Sequence, residues 1–464
     1  MRYISTRNVK RTFTFKEVFL NGLASDGGLY IPESLPSFSS NELEQLKELS
    51  YEQIATKIIS NFCSEDFSYE ETKDLVYKSY KKFRTKNIVQ FKNIGDLILL
   101  ELFHGPTLAF KDIAMQVIGN MYEKILINKN EVINIVVATS GDTGAAAINA
   151  LQGKRNINIF VLHPNNKISQ VQRKLMTTIK DNNVYNLAID GNFDDCQKLV
   201  KLMFVDQSFK SEINMSGVNS INWARIIVQV VYYFYCYLQI GTTNQKVNFS
   251  VPTGNFGDIF AGYIAKKMGL PINKLIVATN KNDILKRAIN TGVYKPKEVL
   301  QTISPSMDIQ VASNFERLVF YTASNDSQVT LKKMEELKKN NEFKLDEGQI
   351  KDIKKDFLSE SLSEEETKEV MNRIKKNYNI LIDPHTAVGI GVIDKLQNLD
   401  GKNVILATAH PAKFPETVRE ATGEYPALPS EIKRVMKERE KFDILPNNLN
   451  IIKKFIKKKI INKN

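Results

Sequence analysis

Six short runs rich in β-branched residues constrain this chain more than any other feature, because each closes on a polar or glycine-bearing loop and most lead into an amphipathic stretch. INIVVATS, NINIFVLHP, NVYNLAID, VNFSVPTG, KLIVATN and NVILATAHP are nearly continuous in apolar character. That is the pattern of strands covered on both faces, as in a parallel sheet. Strand, polar loop, helix, strand is the βαβ unit, which places functional loops at the carboxyl ends of the strands. The expected class is therefore α/β with mostly parallel sheets. A length of 464 residues is too great for one core, so two α/β lobes are expected, preceded by a helical N-terminal region. The helical region is assigned to residues 1–90, a smaller α/β domain to 91–215 and a larger one, ending in a basic helix, to 216–464. Phe15 to Leu23 reads as a helix before the glycine turn SDGGLYIPESLP, and Thr330 to Tyr378 reads as a charged, helical outer layer.

The net charge of +12 raises the question of a nucleic-acid partner. Half of that excess sits in the last segment, IIKKFIKKKIINKN, which holds Lys453, Lys454, Lys457, Lys458, Lys459 and Lys463 and no acid. Ile452, Phe455, Ile456 and Ile460 recur there at helical spacing, which predicts a surface helix with one apolar stripe and a solvated basic face. Phe455 is the only aromatic residue in it, and a base-stacking platform needs several. No nucleic-acid partner is expected. No window approaches eighteen uninterrupted apolar residues, and MRYISTRNVKRTFTF lacks the apolar stretch of a signal peptide. Cys63, Cys196 and Cys236 are scattered without metal-ligand spacing. A cytoplasmic protein without a metal site or a membrane contact is expected.

Three loops carry the chemistry. After VNFSV comes Thr253-Gly254-Asn255-Phe256-Gly257 and then a helix, where small residues let backbone amides approach an anion at the positive end of the helix dipole. A phosphate fits there; the alternative is a plain βα turn. The loop has neither GK[ST] nor GxGxxG spacing, so nucleotide hydrolysis and dinucleotide binding lose weight. Ala138-Thr139-Ser140-Gly141-Asp142-Thr143-Gly144 again joins a strand to a helix, and its hydroxyls and amides suit a carboxylate or a second phosphate, with helix capping by Ser140 or Thr143 as the alternative. Two such loops suggest an anionic cofactor and an anionic substrate. In the third segment, ELFHGPTLAFKD, a turn at Gly105-Pro106 leads into a helix with Lys111 in its first turns. The helix dipole and the apolar neighbours Leu108, Ala109 and Phe110 disfavour the protonated amine there, and an unprotonated amine is what imine formation needs. A surface lysine is the competing reading.

HGPTLAFKD resembles the cofactor-lysine motif of threonine synthases. TSGDTG, NSINWARI, VPTGNFGDIFAGY, SPSMDI with SNFERL, DPHTAVG and TAHPAKF are similar to that family's motifs in the same order, as are YISTR and DGGLYIP near the start. The resemblance runs from Tyr3 to about Val418, leaves the basic tail outside, and points to the longer bacterial and fungal branch.

This resemblance implies the fold type II (tryptophan synthase β-like) architecture of pyridoxal 5'-phosphate enzymes. Lys111 would hold the cofactor as a Schiff base and then shuttle protons. Gly254, Asn255, Phe256 and Gly257 would cradle its phosphate, Thr408 would meet the pyridine nitrogen, and Asp142 would lie near the ring hydroxyl. The implied reaction converts O-phospho-L-homoserine and water to L-threonine and phosphate. Thr139, Ser140 and Thr143 are candidates for the substrate carboxylate, and Ser306, Ser313, Asn314, Arg317 and Lys413 for its phosphate, with pairing to Glu316 as the alternative for Arg317. His163 and Lys167 are expected at the border of the site, and His104 and His410 in turn or packing roles. Asp383 and His385 invite a hydrolase triad, but no GxSxG nucleophile motif accompanies them. A phospho-lyase releasing 2-oxobutyrate and an inactive binding protein remain alternatives. The assembly is expected to be a monomer or a homodimer.

Overall fold

The computed structural model describes residues 1–240, 245–397 and 399–461, so Lys463 lies outside the described residues. The chain folds into two compact units, one built from residues 1–104 and 220–426 and the other from 105–219 and 427–464.

In the first unit a six-stranded sheet runs in the order Phe357–Ser361, Ile272–Thr279, Val247–Pro252, Lys402–Ala407, Leu97–Glu101 and Gln90–Ile94. All neighbours are parallel except the last pair. The central strand Val247–Pro252 is buried throughout, its two polar side chains Asn248 and Ser250 included, as expected of a strand covered on both faces. Its carboxyl end opens into the Thr253–Gly257 loop. A small antiparallel sheet joins Tyr3–Ser5 to Asn8–Phe13 and Tyr30–Pro32. The N-terminal helices Phe15–Asn21, Ser40–Leu46, Tyr51–Cys63 and Tyr69–Tyr80 each start on a complete capping box, Thr14 with Glu17, Ser39 with Glu42, Ser50 with Gln53 and Ser68 with Glu71. The S/T-x-x-E/Q spacing satisfies two otherwise orphaned amides at each start, which is why these short segments begin where they do.

The second unit holds a five-stranded, all-parallel sheet in the order Asp443–Pro446, Val184–Asp190, Ile157–Pro164, Ile133–Ala138 and Met215–Ser216. Phe160 stacks on Tyr185 at 4.6 Å. Around them Val136, Leu162, Leu187, Cys196 and Met203 form a core that also takes in Ile452 and Ile456 of the C-terminal helix Leu449–Ile461. The predicted apolar stripe is therefore present, with Phe455 and Ile460 packed against the same core.

Three features differ from the expected boundaries. Residues 91–104 belong to the first unit, because Leu97–Glu101 pairs in register with Asn403–Ala407. The first 90 residues lie in that unit as well. The basic helix belongs to the second unit, not to the end of a continuous 216–464 domain, because its isoleucines and the strand Asp443–Pro446 complete the second sheet. Within the outer layer, the helices Ser327–Asn340 and Glu347–Asp356 are present, but Phe357–Ser361 is an edge strand of the large sheet. Among the described residues no helix is long and apolar enough to cross a membrane.

Candidate active site

Lys111 opens the helix Lys111–Lys129 directly after a tight turn. Leu108 takes a left-handed φ of 63° in that turn. The fully buried Asp112 carboxylate accepts the Thr107 N–H at 2.7 Å and the Thr107 hydroxyl at 2.6 Å. A β-carbon on Gly105 would stand 2.4 Å from that of Asp112, so only glycine admits this closure. The turn fixes where the helix begins and thereby aims the lysine. Lys111 is 11% exposed, and its Nζ meets Asp142 Oδ2 at 3.3 Å. A counter-charge thus faces the amine that the sequence placed at a helix start among apolar neighbours.

Asp142 starts the helix Asp142–Leu151. Its other oxygen accepts Gln172 Nε2–H at 3.0 Å, so the carboxylate bridges the lysine and a glutamine from the next helix, Gln170–Thr177. Gly141 has φ of 134°, and a β-carbon there would lie 2.7 Å from the Gln172 amide. The buried Thr139 hydroxyl accepts the amides of both Gly141 and Gly144 at 2.9 Å. Thr139 is therefore committed to shaping its loop. Ser140 and Thr143 are partly exposed on it.

In the first unit the loop after Val247–Pro252 turns on Phe256, whose left-handed φ of 65° is unusual for an aromatic residue. Phe256 is buried, with its ring 5.3 Å from that of Phe315 and 5.7 Å from that of Phe357, and this packing holds the conformation. Among the described residues, the amides of Gly254, Asn255, Phe256 and Gly257 have no protein acceptor, and they precede the helix Gly257–Lys267. Four successive donors at a helix start fit a phosphate. A β-carbon on Gly254 would sit 2.6 Å from the Ser306 carbonyl oxygen, so this position admits only glycine without a backbone shift.

The remaining candidates divide. Thr408 is buried and directly follows the strand Lys402–Ala407. Lys413 is fully buried in the one-turn helix Pro411–Lys413, and Ser306 is partly exposed in the similar turn Pro305–Met307. Ser313 is exposed. Arg317 differs from expectation: it is fully buried, and its guanidinium donates to Tyr30 O at 3.0 Å, Ile221 O at 2.6 Å and Asn314 Oδ1, with its carbon centre 5.3 Å from the Trp223 ring. Burial holds its pKa down to about 9. It ties loops together, and Glu316 pairs instead with Arg7 at 2.8 Å. Asn314 is likewise committed, donating from Nδ2 to Asn255 O at 3.1 Å.

The histidines sort in the same way. His163 is fully buried in the strand Ile157–Pro164, and Lys167 is exposed. Burial lowers the His163 pKa. His104 meets Glu101 at 2.9 Å. His410 accepts the Ala412 amide at 3.1 Å, and burial, with Arg84 and His104 nearby, holds its pKa down to about 4. Asp383 and His385 do form a pair, at 2.7 Å, but the far nitrogen is engaged as acceptor of the Ser306 amide at 3.2 Å. Among the described residues no cluster could hold a metal ion.

The chain matches the threonine synthase N terminus over residues 2–80, the pyridoxal-phosphate dependent enzyme family over 86–409 and the threonine synthase C-terminal family over 386–456. It is 43% identical to the threonine synthase of Pseudomonas aeruginosa over 98% of both chains. The chain belongs to the threonine synthase family. The Saccharomyces cerevisiae threonine synthase is 42% identical, with 95% of this chain and 94% of the yeast chain covered. The crystal structure of pyridoxal-phosphate-bound threonine synthase from Brucella melitensis superposes with a TM-score of 0.96 at 43% identity, covering 99% of each chain. The fold is that of the fold type II pyridoxal-phosphate enzymes. The C-terminal match reaches residue 456 and so takes in the first part of the basic tail, with Lys453 and Lys454.

The threonine synthase motifs also contain residues that the sequence reading passed over. Asp112 was visible inside HGPTLAFKD, yet nothing local distinguishes an acid that closes a turn from one on a helix surface. Gln172 and the Ser306 contact of His385 lie thirty and seventy-nine residues from their partners, and no sequence signal announces them.

Proposed function

We propose that this chain converts O-phospho-L-homoserine and water to L-threonine and phosphate, with pyridoxal 5'-phosphate bound through Lys111. The observation that carries the reading is the fit of a family-defining lysine, aimed by a closed turn and faced by Asp142, to a fold whose phosphate-type loop offers four unclaimed amides. Bound pyridoxal phosphate supplies an electron sink for a carbanion at the substrate Cα.

The chain's residues do the rest. Gly254, Asn255, Phe256 and Gly257 bind the cofactor phosphate through their amides. Thr408 donates a neutral hydroxyl to the pyridine nitrogen, which tempers the sink and restrains racemisation and transamination. Lys111, once displaced by the substrate amine, removes the proton at Cα and then carries protons at Cβ. Phosphate leaves from Cγ, water adds at Cβ, and protons return to Cγ and Cα. Asp142 gives the Lys111 ammonium a counter-charge while it holds the transferred proton. The Ser140 and Thr143 hydroxyls hold the substrate carboxylate, with Thr139 shaping their loop. Lys413 and Ser306 receive the substrate phosphate, with Ser313 as a further donor.

The reading includes a cytoplasmic monomer or homodimer with no nucleic-acid partner. Three buried free thiols support a reducing compartment. Two lysines of the basic helix are already paired, Lys457 with Glu212 at 2.5 Å and Lys453 with Asp206. Purified protein given O-phospho-L-homoserine is expected to release threonine and phosphate in equal amounts. Equal release of 2-oxobutyrate and ammonia, with negligible threonine, would assign the phospho-lyase reaction instead. Loss of the visible absorbance of bound cofactor in Lys111→Ala tests the tether.

A further inference from the structure

Asp383 is 1% exposed and His385 is 2% exposed. Asp383 Oδ2 accepts the His385 Nδ1–H at 2.7 Å and the His385 amide at 3.0 Å, and Oδ1 accepts the Thr386 amide at 3.2 Å. The Ser306 N–H points at His385 Nε2, 3.2 Å away. An amide can only donate, so Nε2 is the acceptor and the ring proton sits on Nδ1, facing Asp383. The Phe414 ring lies 5.0 Å from the imidazole and packs it in place.

Ser306 lies in the one-turn helix Pro305–Met307, and its carbonyl oxygen lies 2.6 Å from where a Gly254 β-carbon would be. Met307 Cα and Ile309 Cδ1 bear on the same point at 3.4 and 3.1 Å. The far side of this segment is anchored separately. Asp308 accepts the Thr302 amide at 2.9 Å, Asn280 Nδ2–H at 2.8 Å and Asn282 Nδ2–H at 3.1 Å. The middle of the turn, which touches Gly254, is held by His385.

We propose that His385, fixed in one tautomer by Asp383, is a positioning residue for the phosphate loop: it holds the Ser306 turn against Gly254 and so sets the directions of the loop amides. The proposal rests on the reading of residues 254–257 as the cofactor-phosphate cradle. Its consequence is selective. Loss of the acceptor at Nε2 weakens recognition of the phosphate group and leaves recognition of the pyridine ring alone.

The test titrates apoprotein with pyridoxal 5'-phosphate and, separately, with pyridoxal, followed by visible absorbance. H385Q keeps an acceptor within reach of the Ser306 amide, whereas H385M is of similar size and has none. H385M is expected to bind pyridoxal phosphate about tenfold more weakly, the loss of roughly one buried hydrogen bond, with pyridoxal affinity within about threefold of wild type by the same accounting. H385Q is expected to restore most of the difference. G254A crowds the same contact from the other side with His385 intact, and it is expected to show the same selective loss even where H385M is too unstable to titrate. Equal affinities for H385Q and H385M, parallel losses for both ligands, or a G254A protein that discriminates as well as wild type would each overturn the proposal. A wild-type protein that binds pyridoxal as tightly as pyridoxal phosphate would instead remove the phosphate-loop reading, and the proposal with it.

Discussion

Asp112→Ala tests whether the turn before Lys111 is closed by a buried carboxylate. In the folded chain that carboxylate is fully enclosed and accepts two bonds from Thr107, at 2.7 Å from the amide and 2.6 Å from the hydroxyl. A hydrogen bond to an ionised group contributes roughly 1.5–3 kcal/mol, and an orphaned buried donor costs a similar amount. Two such bonds, less the relief from a water or a rotated hydroxyl, give about 2–4 kcal/mol for local opening of the turn. At about 1.4 kcal/mol per tenfold, amide hydrogen exchange across residues 105–115 should quicken by about 30- to 1000-fold. Exchange resolved by peptide mass spectrometry in the apoprotein measures this directly, and the peptide spanning 254–260 serves as the internal reference. Asp112→Asn keeps the shape and one acceptor and should fall between wild type and Asp112→Ala. Protection within threefold of wild type across 105–115 in Asp112→Ala would refute the claim that this acid aims Lys111.

Two further outcomes follow from the burial of charged and titratable groups. Arg317→Lys cannot reach Tyr30 O, Ile221 O and Asn314 Oδ1 together. It should cost about 2–4 kcal/mol in thermal or urea unfolding while leaving the substrate KM of the folded enzyme within about threefold. A tenfold rise in KM with unchanged stability would return Arg317 to the substrate. His410 is held down to about 4 when folded, below the ordinary 6.5. Its contribution is therefore complete above pH 6.5 and is lost as pH falls toward 4, an effect of about 2 kcal/mol after allowance for partial exposure. His410→Gln should flatten the fall in melting temperature between pH 6.5 and 4, and an unchanged slope would count against the shift.

How much of this was legible in the chain follows from the range of the interactions. Six strands could be read because both faces of each are covered, so IVVA is apolar at every position and VNFSVP is broken only by Asn248 and Ser250. Phe357–Ser361 escaped because it is an edge strand with alternating burial that follows directly on a charged helix, and its FLSES sequence lacks the continuous run. The lysine and the glycine loops were legible because their chemistry is local: small residues at a helix start, and an amine beside them. The partners were not. Asp142 reaches Lys111 across 31 residues and His385 reaches Ser306 across 79. Arg317 read as a substrate-phosphate candidate, with pairing to Glu316 as the alternative, yet the two side chains turn to different elements, and only the packing decides which.

The interleaving of the chain was equally invisible and has a consequence of its own. The second unit starts at residue 105, pauses at 219 and is completed only by residues after 427. Until then the strand Val184–Asp190 is an open edge of a parallel sheet, and the face that receives Ile452 and Ile456 is bare. Asp443–Pro446 covers that edge, and the helix Leu449–Ile461 covers the face; exposed edges and apolar faces are where association of partly folded chains begins. Two of the basic residues of the helix then have a structural explanation. Lys457 pairs with Glu212 at 2.5 Å and Lys453 with Asp206, beside the Phe209 ring, so the charge docks the segment it belongs to. Ile456→Ala deletes fully buried methyl groups at the centre of this contact and should cost about 2–4 kcal/mol. Hydrogen exchange of the segment 184–205 should accelerate accordingly, while 247–267 in the first unit keeps its protection. Loss of protection in both segments alike would mean that the helix serves the whole chain, and loss in neither would mean that the second core stands without it.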